Sequence, residues 1–353
     1  MYNSPNTGGV DMELGLVLMT AVNAIMPILL MILLGYALRT IGFFNDNFIQ
    51  LSNKLVFNIC LPVMLFVNIY DIAGFSVIQW DLVIYTVLVI CLLFFLSFAA
   101  AICSTKIPER KGVVMQCVYR SNYAIIGLPL ASALGGTEAM AVAAVISAFC
   151  IPVFNIFGVI SLTVFLEDTE NKKIDIVGIL RNIIKNPLII GVVFGLACLG
   201  IRQLQSDLFG NILFSLSRDT KFLYTALNSL KAITSPLALI VLGGQFTFSA
   251  VKGMFREIAV GTISRIVIAP LIGIGLAVIL SKYTTLLSCG ASEYPALIAV
   301  FGSPVAVSSA VMAAGMKNDG QLAAQLVVWT SLFSIVTIFL TICIMVSFGL
   351  LLP

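Results

Sequence analysis

Apolar residues gather into ten stretches along this chain, at 16–38, 48–70, 81–104, 112–135, 139–166, 187–202, 227–249, 257–281, 295–315 and 321–349. A helix that crosses a bilayer needs about 20 predominantly apolar residues. No soluble fold hides ten such stretches, because a surface facing water needs polar cover. Of the 353 residues, 60% are apolar and 10% are charged, where an ordinary soluble domain carries about 25% charged residues. The expected fold is all-α and integral to the membrane, with ten transmembrane helices, and the lipid bilayer is its first partner.

Several function classes are excluded early. The net charge of +3 is spread over loops, so no nucleic-acid footprint is present and no nucleic-acid partner is expected. The chain has no histidine, which removes histidine triads, histidine proton relays and most zinc sites. Of the eight cysteines, seven lie inside apolar stretches and none forms a CxxC pair. They read as small buried apolar residues. No metal and no cofactor is expected. An intramembrane protease would require serine with histidine, or two intramembrane aspartates; neither arrangement occurs, so an enzyme is not expected.

Basic residues in loops set the orientation of a membrane protein. The loops after spans 1, 3, 5, 7 and 9 hold eleven Lys and Arg; the opposite side holds four, namely Arg202, Arg218, Lys221 and Lys282. The first set is expected in the cytoplasm, with both termini outside and the charged loop 167–186 inside. Residues 1–14 carry Asp11 and Glu13 but no basic residue, so they lack the n-region of a cleavable signal peptide. Residues 1–13 are expected to form a disordered tail.

The chain repeats itself weakly. Pro27, Pro62 and Pro129 match Pro187, Pro236 and Pro304 in the same order, at offsets of 160, 174 and 175. Asn23 and Asn186 precede the first pair. Two five-helix repeats follow, at 14–166 and 187–353, joined by a cytoplasmic linker at 167–186. An odd number of spans per half makes the repeats inverted, which is a transporter layout.

In hydrocarbon every freed backbone group needs a partner, so a helix breaks at mid-depth only where protein or a water-filled cavity supplies one. Pro129 in span 4, flanked by Gly127, Gly135 and Gly136, is one expected break. Pro304 in span 9, between Gly302-Ser303 and Ser308-Ser309, is the other. Paired breaks at matched positions point to a transport site. The N-terminus of the helix after each break would attract an anion. Arg120 and Arg265 lie within spans, whereas no Asp or Glu clearly does; both the reading as site cations and the reading as side chains snorkelling to the interface stay open. Asn122 lies seven residues before Pro129 and so on about the same helix face. Asn58, Asn68 and Asn155 read as helix-to-helix hydrogen-bonding residues, worth about 0.6 kcal/mol each. Gly243-Gly244 reads as a place of close helix packing.

Several stretches resemble the auxin efflux carrier family, in its bacterial branch. The strongest is Ser303-Pro-Val-Ala-Val-Ser-Ser-Ala-Val-Met-Ala, followed by Leu322-Ala-Ala-Gln-Leu-Val-Val and Ser331-Leu-Phe-Ser. Asn122-Tyr-Ala-Ile-Ile-Gly-Leu-Pro-Leu, Ser235-Pro-Leu-Ala-Leu-Ile-Val-Leu-Gly-Gly and the Asn53-Lys54…Leu61-Pro62 pattern are also similar. The resemblance implies the architecture of sodium/proton antiporters and bile acid symporters, with spans 4 and 9 broken and crossing at Pro129 and Pro304. Spans 1, 2, 6 and 7 would form a scaffold domain, and spans 3–5 with 8–10 a mobile transport domain. Plant members export auxin, and bacterial members are linked to malate, malonate and related acids. The long hydrophilic central loop of the plant carriers has no counterpart here.

The expected function is therefore secondary transport of a small organic anion, a mono- or dicarboxylate, by elevator-type alternating access in a bacterial inner membrane. Asn122 and Ser303, with Ser308 or Ser309, would hydrogen-bond the carboxylate between the half-helix ends at Pro129 and Pro304. Arg120 or Arg265 would add positive potential. The alternative is a sodium- or proton-coupled symporter of the same fold. A receptor without transport is disfavoured, since a passive bundle has no need of paired helix breaks. The scaffold face leaves a homodimer open.

Overall fold

A computed structural model of the chain describes residues 26–27, 29–71, 79–166, 185, 187–246 and 251–351. The expected tail at 1–13, the loop at 167–186 apart from Lys185, and Asn23 lie outside the described residues.

Helices form where the apolar stretches run, and their ends follow local chemistry. They are α1 (Leu29–Thr40), α2 (Asp46–Tyr70), α3 (Trp80–Ser104), α4 (Pro108–Tyr119), α5 (Tyr123–Thr163), α6 (Pro187–Phe209), the short α7 (Leu216–Asp219), α8 (Lys221–Gln245), α9 (Val251–Tyr283), α10 (Glu293–Gly302), α11 (Ser308–Gly315) and α12 (Gly320–Ser347). Asn45 caps α2 by accepting from the Phe48 N–H, and Asp319 caps α12 by accepting from the Leu322 N–H. Each fills one of the donors that a helix start leaves without an intrahelical partner. Pro108 and Pro187 stand at helix starts, where a missing N–H costs nothing.

All ten apolar stretches contain helix among their described residues. Among the described residues, however, seven helices rather than ten are long and apolar enough to cross a membrane: α2, α3, α5, α6, α8, α9 and α12. The difference has three sources. Of span 1 (16–38), only residues 26–27 and 29–38 are described. Span 9 is cut into the short α10 and α11. Span 4 is cut as well, and its second part runs on into span 5 within α5, across a bend at Gly135 and Gly136. Gly136 has φ +66° there, a backbone region that disfavours any side chain.

Among the described residues three helices contain one π-helical turn each: Val56–Cys60 in α2, Tyr123–Gly127 in α5 and Ser264–Ile268 in α9. In each case a proline, Pro62, Pro129 or Pro270, is the second residue beyond the turn. A proline inside a helix lacks its N–H, and its ring collides with the carbonyl four residues back. The wider turn makes room for that ring without ending the helix.

Helices α1, α2, α6 and α8 pack on one another through glycines that bring backbones close. A Cβ on Gly35 would overlap the Ile240 carbonyl oxygen, and one on Gly191 would lie 2.5 Å from that of Pro62. At Gly243 it would overlap the carbonyl of Ile32. Helices α3, α4, α5, α9, α10 and α12 form a second set of mutual contacts, and α11 touches both sets.

Candidate functional site

The two cut spans meet. The chain leaves the helical conformation at 120–122, between α4 and α5, and at 303–307, between α10 and α11. The Asn122 N–H donates to the Pro304 carbonyl at 2.8 Å, and the Ala306 N–H donates to the Arg120 carbonyl at 3.2 Å, so Ser121 and Val305 form an antiparallel β-bridge. The Thr330 hydroxyl on α12 accepts from the Val305 N–H at 3.3 Å. Each interruption thus supplies the hydrogen bonds that the other lacks, as a low-dielectric interior demands.

This geometry corrects one expectation. The first break lies at Arg120–Asn122 and not at Pro129, which is exposed and sits inside α5. The π-turn ahead of Pro129 absorbs the proline, so it has no broken helix to explain. Pro304 does lie in its break, and Ser303 before it is extended at φ −64°, ψ 149°, as a residue preceding proline prefers.

A cavity of about 70 Å³ opens beside the bridge. Arg120, Ser121, Asn122, Ala306 and Ser308 line it from the paired interruptions, and Asn155 lines it from α5. From the other set of helices, Asn68 and Met64 of α2 and Thr234 and Ser235 of α8 close it. Asn122 occupies the cap position of its helix, yet its side chain makes no cap hydrogen bond. Its Nδ2 has no partner, nor does the Ser121 hydroxyl, and both residues are only 4% exposed. Among the described residues, neither helix that starts at the bridge is capped by a side chain.

Arg120 is 3% exposed. Its Nη1 donates to Gln116 Oε1 at 2.9 Å and contacts Met312 Sδ; its Nη2 donates to Asn155 Oδ1 at 2.7 Å and to Ser308 Oγ at 3.0 Å. Because Ser308 accepts from the arginine, its own proton is free to point elsewhere. Arg265 is wholly buried, and every hydrogen bond it makes goes to a backbone carbonyl: Ser303, Val300, Phe301 and Val118. Among the described residues no carboxylate forms a salt bridge with either arginine.

Of the residues selected from sequence, Asn122, Arg120 and Ser308 line the cavity, and the others do not. Arg265 faces the helix ends. Ser303 turns its hydroxyl to the Ala299 carbonyl at 2.6 Å. Pro304 contributes its carbonyl to the bridge. Gly127 permits close approach, since a Cβ there would lie 2.9 Å from the Ala299 carbonyl oxygen. Ser309 borders a separate void of about 10 Å³ shared with Gln116. Conversely, Asn155 and Gln116 hold Arg120 in place and escaped selection. Gln116 had one signal, its position four residues before Arg120, which sets both on one helix face.

Comparison with known proteins bears on the chain as a whole. The pattern of a family described as "Membrane transport protein" matches residues 20–342. An uncharacterized transporter of Methanocaldococcus jannaschii is 25% identical over 324 residues, which cover 91% of this chain and 97% of that one.

Proposed function

The chain belongs to the auxin efflux carrier family of membrane transport proteins, and from that premise we propose that it moves a small organic anion across the membrane by alternating access. The cargo is a mono- or dicarboxylate such as malate, malonate or an auxin-like acid. The observation that carries this reading is the unpartnered amide of Asn122, held in the cavity wall where the two interruptions pair. Ser121 and the Ser308 hydroxyl stand beside it, and the starts of α5 and α11, neither capped by a side chain, add the positive ends of two helix dipoles. Asn122 Nδ2 and the Ser121 hydroxyl are unpartnered in the cavity wall, and Arg120 beside them is a cation with no carboxylate partner among the described residues. An anion completes such a site.

The cavity lies between the two sets of helices. In the elevator reading α1, α2, α6 and α8 stay fixed as the scaffold, while the set that carries the paired interruptions moves and takes the cargo with it. The ten helices then form two inverted repeats, with both termini outside and the loop 167–186 in the cytoplasm.

The test is charge movement in proteoliposomes for a panel of mono- and dicarboxylates, first without sodium and without a pH gradient. A saturable current for some acids, lost in Asn122→Ala, supports the reading. Equal currents in the wild type and in Asn122→Ala would remove the cavity from the mechanism. Uptake that requires an imposed sodium or proton gradient would favour the symporter alternative.

A further inference from the structure

We propose that Arg265 is a tethered cation, standing where the ends of the two interrupted helices would otherwise hold a mobile one. The last carbonyls of any helix lack intrahelical partners and carry its negative dipole end. Here two such ends converge in the protein interior. α10 ends at Gly302 and α4 at Tyr119, and the paired interruptions draw those ends together. Carbonyls gathered in this way repel one another unless a positive charge lies among them. In carriers with discontinuous helices, unwound carbonyls and half-helix C-terminal ends coordinate sodium or protons.

In this chain the guanidinium supplies that charge. Nε donates to the Ser303 carbonyl at 2.8 Å, Nη2 to Val300 at 2.9 Å and to Phe301 at 3.0 Å, and Nη1 to Val118 at 3.3 Å. Three acceptors belong to the end of α10 and one to the end of α4, so a single side chain ties both ends. Arg265 is 0% exposed, does not line the cavity, and forms no salt bridge with a described carboxylate. It is therefore not the partner of a cargo anion. Among the described residues carbonyl dipoles offset its burial, and a guanidinium, planar and always charged, suits several carbonyls at once. It lies in the π-turn of α9, fixed to the protein, and cannot be exchanged with either side of the membrane. The consequence for coupling, that no ion needs to travel through this place, rests on the transport reading above. The assignment of Arg265 does not, and its test uses no substrate.

The experiment is thermal unfolding of the full chain in detergent, in sodium, lithium, potassium and choline chloride at equal ionic strength, for the wild type, Arg265→Lys, Arg265→Gln and Arg265→Ala. The wild type and Arg265→Lys should unfold at the same temperature in all four salts. Arg265→Gln and Arg265→Ala should unfold lower in choline and regain about 3 °C or more, saturably, in sodium or lithium. If Arg265→Ala is not recovered folded, Arg265→Gln carries the same comparison. The proposal is overturned if the neutral variants respond alike to all four salts, if they unfold at the wild-type temperature in choline, or if sodium stabilises the wild type itself. A purely structural arginine gives lower unfolding temperatures with no preference among the cations.

Discussion

The backbone N–H of Asn122 donates to the Pro304 carbonyl at 2.8 Å, while its side-chain Nδ2 has no hydrogen-bond partner. An asparagine at a helix start ordinarily folds back to cap it. With its own backbone committed across the bridge and its side chain uncapped, Asn122 presents an unpartnered amide to the cavity.

Asn122→Ala should therefore separate transport from stability. The amide nitrogen has no hydrogen-bond partner, so its loss should leave the unfolding temperature nearly unchanged. A hydrogen bond to a charged group is worth about 1.5–3 kcal/mol, so apparent affinity for the cargo should fall about 10- to 100-fold. Asn122→Asp would place a carboxylate in the path of the anion and should abolish the current while still inserting. Currents and thermal melts on the same preparations check both statements.

The two prolines of the matched pair should behave differently. Pro304→Ala removes the constraint that keeps Ser303 extended ahead of the bridge, and should reduce transport strongly. Pro129→Ala acts on a π-turn beyond the break and leaves the bridge bonds in place, so its effect should be several-fold smaller. Equal loss in the two variants would contradict the position of the first interruption.

Gly315 of α11 meets Phe57 in the π-turn of α2, where a Cβ would lie 2.6 Å from the ring. This contact joins the two sets of helices. Gly315→Ala should overpack it at a cost of about 1–3 kcal/mol and slow turnover. Phe57→Ala should relieve the overlap, giving a coupling of opposite sign in a double-mutant cycle. Purely additive effects would show that the two residues do not meet.

Arg110 bridges three helices. Its Nε donates to Asp319 Oδ2 at 2.9 Å, and its Nη1 donates to Glu257 Oε1 at 3.1 Å and to the Gly253 carbonyl at 3.0 Å. The three charged side chains are 16%, 17% and 9% exposed. Arg110→Ala would leave two carboxylates together without a cation and should cost about 2–3 kcal/mol. Adding Glu257→Gln should recover part of the loss, as measured by thermal unfolding.

Helix positions were legible because lipid leaves the backbone few alternatives, and the apolar stretches state where those helices run. The break at Pro304 was legible because proline, glycine and serine lie together there. The break at 120–122 was not. Arg120, Ser121 and Asn122 carry no proline or glycine, and what pairs with them is the segment 304–306, more than 180 residues away. Pro129 drew attention because a proline in a helix suggests a break, and no local pattern revealed the π-turn that accommodates it. Asn155 looked like one more interhelical amide, because its meeting with Arg120 depends on how α5 packs. Arg265 showed a charge within a span, but not that carbonyls from two distant helices converge on it.

The bridge also has a consequence for how the chain is made. Synthesis proceeds from the N-terminus at roughly 5–20 residues per second, and Arg120 must wait for Ala306 before its carbonyl finds a donor. The first half therefore spends roughly 10–40 s with its backbone at Arg120–Asn122 incomplete. During that interval the unpaired carbonyl needs shelter from lipid, from the insertion machinery or from water held between the nascent helices.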